Sequence, residues 1–342
     1  MSTDRVLVTG ASGFIAKHCI AELLAAGYAV RGTVRSSARR DEIEIALVTA
    51  GIESPSIELV EADLTGDDGW VDAVRQCRYV LHVASPFPSS EPQNPKDLIE
   101  PACAGSIRVL KTAAAGGVER VVQTSSIVAI MRSVKPDGEA RTEEDWTDLA
   151  NPEISSYARS KTLAERAAWE IYAELRGASS MAFCTINPGL VLGPALDHKL
   201  STSHVLLRLL GRGAYMAVPK MALPVVDVRD VARQHVVAMT HPAAPGNRWL
   251  STSETLSIRR IGELMVEQLP ELKRRVPTRE LPASLVRVAA FLDPNLKSIL
   301  SELGRANLCD NRNSIVRMGM VFRSAEEAVK SAAQSLRELG VF

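Results

Sequence analysis

No cysteine pair, no excess of charge of either sign and no long apolar run marks this chain, and each absence removes a class of protein. The five cysteines (Cys19, Cys77, Cys103, Cys184, Cys309) are odd in number, widely spaced and without a C-x-x-C pair. That argues against a zinc site or a disulfide framework and fits reduced thiols packed as small apolar side chains. Forty basic residues balance forty acidic ones, so no overall field draws the chain to nucleic acid or to an anionic membrane. Small molecules are the expected partners. No apolar stretch approaches the roughly 20 residues that span a bilayer. Residues 1–4 lead into an apolar strand without a basic n-region, an h-region or a cleavage site, so the expected location is the cytoplasm.

What is present is apolar sequence, 46% of 342 residues, sufficient for one large core or for a large core with a smaller lobe. Residues 5–9 (RVLVT) are a short apolar run ended by glycine, and within 13–26 Ile15, Cys19, Leu23 and Leu24 recur at helical spacing. The order then repeats. Strands are expected over 29–34, 56–61, 79–84, 120–125 and 182–187, and helices over 38–49, 69–76, 97–115 and 156–176. Valine-rich strands alternating with helices imply an α/β fold, a doubly wound parallel Rossmann sheet with right-handed crossovers. Residues 133–154, polar and punctuated by Pro136, Gly138 and Pro152, read as a surface loop. After Pro188 the alternation fails. Helices are expected over 258–269 and 325–339, with a strand over 223–228 and a helix over 231–239 returning to the sheet. The expected division is a dinucleotide-binding domain over 1–188, joined by 223–252, and a smaller C-terminal substrate lobe from 189–222 and 253–342.

Gly10-Ala11-Ser12-Gly13-Phe14-Ile15-Ala16 falls where the first strand meets the first helix. Glycine at 10 and 13 lets backbone approach a pyrophosphate, whose charge meets the free N–H groups and dipole of the helix start. Gly10, Ser12, Gly13, Phe14 and Ile15 are thus expected cofactor contacts, and Ala16 keeps helix and sheet close. An NAD site ends its second strand with Asp or Glu for the ribose hydroxyls, but here Val34 is followed by Arg35, Ser36, Ser37, Ala38, Arg39 and Arg40. Guanidinium groups, Arg35 and Arg40 in particular, suit a 2′-phosphate, so NADP(H) is the expected cofactor. Asp63-Leu64 has two readings: flanking the adenine, or capping a helix over 66–72.

Tyr157 and Lys161 open a helix and lie one turn apart on one face. An ammonium beside a phenol favours the phenolate, which suits Tyr157 to proton exchange near neutral pH. Lys161 has two expected jobs, tuning Tyr157 and hydrogen-bonding the nicotinamide ribose. Thr124-Ser125-Ser126 ends the fifth strand, at the carboxyl edge where ligands collect in such sheets.

Together TGASGFIA, HVASPF (82–87), TSS (124–126), YARSKTLAERAAW (157–169), NPGLVLGP (187–194) and VVDVRDVA (225–232) resemble the dihydroflavonol 4-reductase and cinnamoyl-CoA reductase group of extended short-chain dehydrogenases. The polar EEDW at 143–146 is similar to that group too. The resemblance implies a triad of Ser126, Tyr157 and Lys161, and it selects Ser126 over Ser125 as the last serine before the apolar Ile127. It also implies that Val83, Ala84, Ser85 and the stretch from Pro188 to Val191 line the cofactor. Two departures weaken the carry-over of substrate: Met131 stands where flavonoid reductases place an asparagine, and the tryptophan-containing motif of cinnamoyl-CoA reductases is absent before Tyr157. Phe87, Met131 and Met216 suggest an apolar or aromatic substrate.

The expected activity is NADPH-dependent reduction of an aldehyde or ketone, aromatic or dihydroflavonol-like, to the alcohol, by a monomer or homodimer. Two alternatives are a nucleotide-sugar epimerase or dehydratase and a non-catalytic nucleotide-sensing regulator of the same fold. His82 is expected to be a packed histidine, and Asp227, Arg229 and Asp230 to cap a helix and form surface ion pairs. No metal is expected.

Overall fold

Seven parallel strands form the frame that positions the site. The computed structural model describes residues 4–86, 94–136, 138–289, 300 and 302–342. The first half alternates as its apolar pattern requires: β1 (Arg5–Val8), α1 (Phe14–Ala25), β2 (Ala29–Val34), α2 (Arg40–Thr49), β3 (Ile57–Glu61), α3 (Trp70–Val74), β4 (Tyr79–His82), α4 (Lys96–Ala115), β5 (Arg120–Thr124), α5 (Ser156–Leu175) and β6 (Ala182–Pro188). There follow β7 (Leu190–Leu192), α6 (Thr202–Gly211), β8 (Val218–Pro219), β9 (Ala222–Asp227), α7 (Val228–Thr240), β10 (Arg248–Ser251), β11 (Thr255–Ser257), α8 (Ile258–Gln268) and, near the end, the helix Ala325–Glu338.

The large sheet runs β10-β6-β5-β4-β1-β2-β3, so strand order reverses between β1 and β4. Crossovers leave that point in opposite directions, which opens a crevice above the carboxyl ends of these two strands. One face of the sheet packs on α1 and α7 through Ile20, Leu23, Val122 and Met239. The other packs on α4 and α5 through Trp70, Leu110, Ile171 and Phe183. A separate core of Leu207, Ile261, Leu264, Val329 and Leu336 holds the second lobe.

Two expectations about topology are corrected. The strand expected over 223–228 forms as β9, but it pairs with β7 and β11 in a small three-stranded sheet. The strand that returns to the large sheet is β10, parallel to β6. The polar stretch 133–154 is not a plain surface loop: Arg141, Glu143, Asp145 and Thr147 are buried. Its charges are consumed internally, Arg141 by the carbonyls of Lys135, Pro136 and Glu139, and Asp145 by Lys135 and the Thr142 N–H.

Candidate active site

The turn after β1 is tied to β2. Gly10 N–H donates to Thr33 Oγ1 at 3.0 Å and Ala11 N–H to the Thr33 carbonyl at 2.8 Å. Gly32 makes this approach feasible, because a Cβ there would stand 2.6 Å from that of Ala11. Gly10 has φ of +67°, and a Cβ on it would meet Ala84 at 3.0 Å. Backbone thus occupies what side chains would fill, and α1 begins at Phe14 with its first N–H groups beside this cradle. The fit to a dinucleotide pyrophosphate is direct.

Around it lies a cleft of about 1040 Å³. Gly10, Ser12, Gly13, Phe14 and Ile15 line its floor, Arg35 and Arg39 one end, and Val83, Ala84, Ser85, Pro188 and Val191 the stretch over the sheet. Arg40 is a correction. Its guanidinium donates to Glu44 and the Ile57 carbonyl outside the cleft. The cause is a 3₁₀ turn over Ser37–Arg39, which shifts the helical phase and presents Arg39 instead. Asp63 and Leu64 also line the cleft. Asp63 accepts from the Thr65 N–H and hydroxyl in a local turn, which holds its carboxyl below the usual range. No helix spans 66–72, since α3 starts at Trp70, so the capping alternative for Asp63 falls.

Strand β5 delivers three hydroxyls to three destinations. Thr124 bonds His235 Nε2 at 2.7 Å, and Ser125 donates to the buried Glu165 carboxylate. All three residues line the cleft, but Ser126 is the one whose hydroxyl hydrogen-bonds Tyr157 there. Helix α5, capped by Ser155 accepting from Ala158 N–H at 3.1 Å, presents Tyr157 and Lys161 to the same space. Ser126, Tyr157 and Lys161 are therefore brought together.

The electrostatics differ from expectation in one respect. Burial pushes the Tyr157 phenol above its ordinary value, and the Ser126 hydrogen bond, not Lys161, opposes it. Lys161 is itself lowered to about 8 by burial, against the supporting charge of Glu165. His82 is the packed histidine expected: Nδ1 lies 2.9 Å from Thr9 Oγ1, and burial with the Lys161 charge lowers it to about 3.

At the other end Met131, Ile154, Leu206, Met221 and Leu223 give apolar walls. Met216 is 98% exposed and takes no part. Phe87 lies outside the described residues. Polar groups missed in the sequence also line this end: Arg132, paired with Glu302 and donating to Asn307 Oδ1 at 3.0 Å. Asp227 caps α7 as expected, but Asp227 and Asp230 are buried carboxylates held by Arg229 and Arg323, not surface pairs. Glu165 was missed as well, although the same one-turn spacing that joins Tyr157 to Lys161 joins Lys161 to it. No group of three metal-ligating side chains occurs among the described residues, and no described helix is long and apolar enough to cross a membrane.

Residues 6–250 match the family described as "NAD dependent epimerase/dehydratase family". Ketoreductase azaE of Aspergillus niger is 32% identical, covering 98% of this chain and 98% of that protein. Cinnamoyl-CoA reductase 1 of Arabidopsis thaliana is 32% identical, covering 98% and 90%. Among solved structures, yeast methylglyoxal/isovaleraldehyde reductase Gre2 complexed with NADPH superposes with a TM-score of 0.80 at 28% identity, over 99% of this chain and 100% of that one.

Proposed function

Since the chain belongs to the NAD dependent epimerase/dehydratase family, in the dihydroflavonol 4-reductase and cinnamoyl-CoA reductase-like group of extended short-chain dehydrogenases, we propose that Ser126, Tyr157 and Lys161 carry out its chemistry, the reduction of an aldehyde or ketone to the alcohol. The chain is an NADP(H)-dependent oxidoreductase. One observation carries the residue assignment: Tyr157 is hydrogen-bonded to Ser126, with Lys161 one turn on, inside the crevice at the β1/β4 reversal.

NADPH, when bound, supplies the hydride. The N–H groups of the Gly10–Ile15 turn would hold its pyrophosphate, Arg35 and Arg39 the 2′-phosphate, Asp63 and Leu64 the adenine, and Val83 to Ser85 with Pro188 and Val191 the nicotinamide side. Tyr157, kept protonated by its raised pKa, gives its proton to the carbonyl oxygen. Ser126 donates to the same oxygen and fixes its direction. Lys161 would hydrogen-bond the nicotinamide ribose and, as a cation, would favour the phenolate left behind. The apolar walls around Met131 exclude water and suit an apolar or aromatic carbonyl.

The epimerase alternative is not favoured: guanidinium groups stand at the end of β2 where a tightly held NAD would need a carboxylate. Glu61, the nearby acid ending β3, is engaged by the Ser37 N–H at 2.7 Å. We further read the enzyme as cytoplasmic, where its five free thiols stay reduced, and as a monomer or homodimer. Deuterium at the transferable position of NADPH tests the activity: the label should appear on the carbinol carbon of the product. Product formed without label would point to an internal hydride cycle and remove the reductase reading.

A further inference from the structure

Lys199 lies 187 residues from the phosphate turn, yet its ammonium donates a 3.0 Å hydrogen bond to Ser12 Oγ. It arrives on the segment between β7 and α6, which crosses α1 and is fastened to it at several points. His18 Nε2 lies 3.0 Å from the Pro194 carbonyl, and Phe14 packs edge-on against His204 with ring centroids 4.5 Å apart. Lys17, its side chain only 3% exposed, bridges Glu42 on α2 and Asp197 on the crossing segment. Asp197 also accepts the Lys199 backbone N–H at 3.0 Å. The base of Lys199 is thus fixed, while its side chain lines the cleft together with Ser12, Arg35 and Arg39.

Arg39 pairs with Glu42 at 2.9 Å and stands close enough for its charge, after the larger effect of burial, to lower the Lys199 pKa. Two cations are therefore held against their mutual repulsion at one end of the cleft. The neighbouring carboxylates, Glu42 and Asp197, are both engaged by the buried Lys17, which limits their repulsion of an incoming anion. A hydroxyl, an ammonium and a guanidinium converging from three chain segments suit the compact dianion of a phosphate monoester.

We propose that Lys199, brought by the second lobe, is a ligand of the 2′-phosphate of NADPH and a determinant of the preference for NADPH over NADH. The inference rests on the NADP(H) reading above and adds to it. Part of the cofactor selectivity then comes from the lobe that also walls the substrate end, and cofactor capture fastens that lobe to the phosphate turn.

Lys199→Gln, with a thermal melt to establish that it folds, is titrated calorimetrically with adenosine 2′,5′-bisphosphate and with 5′-AMP. Loss of one charge-assisted contact should weaken bisphosphate binding about tenfold while leaving 5′-AMP binding unchanged. Lys199→Arg should restore most of it, and the KM for NADPH should rise in Lys199→Gln with kcat and the KM for NADH held. Unchanged bisphosphate affinity overturns the proposal, and so does an equal loss for both probes, which would assign Lys199 to the 5′-phosphate or to holding the segment. A wild-type protein that did not distinguish the two probes would overturn the NADP(H) reading itself.

Discussion

Arg248 and Glu165 meet as an ion pair sealed inside the molecule, Nε to Oε1 at 2.6 Å and Nη2 to Oε2 at 3.3 Å, one helical turn beyond Lys161. The guanidinium stacks 3.7 Å above the Trp146 ring and donates to the carbonyls of Glu143 and Asp145, so the EEDW segment is anchored to α5. The carboxylate takes further hydrogen bonds from Ser125, Thr185 and Asn187. Glu165→Leu strands a buried guanidinium and should cost about 3–5 kcal/mol. Glu165→Gln retains an acceptor and should cost less, a ranking that denaturant unfolding of the two variants checks.

With Lys161 in the proposed role, its ammonium should set the alkaline limit of activity. Its pKa is lowered to about 8 because burial disfavours the ammonium, so the charge is present below that pH and disappears as pH rises through it. Tyr157, raised by burial, stays protonated over the same range. The kcat/KM for carbonyl reduction should be flat on the neutral side and fall above about pH 8. In Glu165→Gln, which removes the charge supporting the ammonium, the fall should begin at lower pH. A profile that rises through this range instead would contradict the assignment.

Arg39 and Arg40 separate the two sides of the 3₁₀ turn. Arg39→Ala removes a cleft cation and should raise the KM for NADPH about tenfold or more with little change for NADH. Arg40→Ala removes a contact to Glu44 at 3.2 Å on an exposed helix pair, worth about 0.3–0.5 kcal/mol, and should leave both KM values alone. Steady-state kinetics with each nucleotide reads the difference.

Acid should unfold the protein through its buried histidines. His18, His82 and His235 are lowered to about 4, 3 and 4 by burial, from 6.5. Between those limits the unfolded chain binds more protons, so stability is full above the unfolded value and is lost as pH falls through 6.5 toward the folded values. Each can contribute a slope of up to about 1.4 kcal/mol per pH unit. Denaturant unfolding followed across this window should show the loss, and His235→Gln should flatten it.

The apolar pattern made the large sheet legible, because buried parallel strands and amphipathic helices repeat at distinct periods and the elements through β6 fall within a few residues of expectation. The helix carrying Tyr157 and Lys161 and the glycine turn were readable for the same reason: each depends on spacing within one element. What escaped depends on contacts between distant segments. The phase shift that exchanges Arg39 for Arg40 is a matter of one residue in a short turn. Lys199, Glu302 and Asn307 reach the cleft from the second lobe, where no short-range period announces them. The EEDW stretch read as solvated because of its charged composition, yet the Glu143 carboxylate accepts from Asn313 and the Leu250 N–H, and Arg248 donates to the carbonyls of Glu143 and Asp145, all roughly a hundred residues or more away.

The central claim is tested most directly by following NADPH absorbance while purified protein meets aryl aldehydes, aryl ketones, keto esters and dihydroflavonols, with Tyr157→Phe in parallel. The account predicts carbonyl-dependent loss of NADPH by the wild type and a rate lower by about 10²–10⁴-fold in the variant, with its thermal melt and nucleotide affinity preserved. Equal rates in the two proteins would contradict the assignment of Tyr157 as proton donor, and no carbonyl-dependent consumption together with conversion of a nucleotide sugar would replace the reductase with an epimerase.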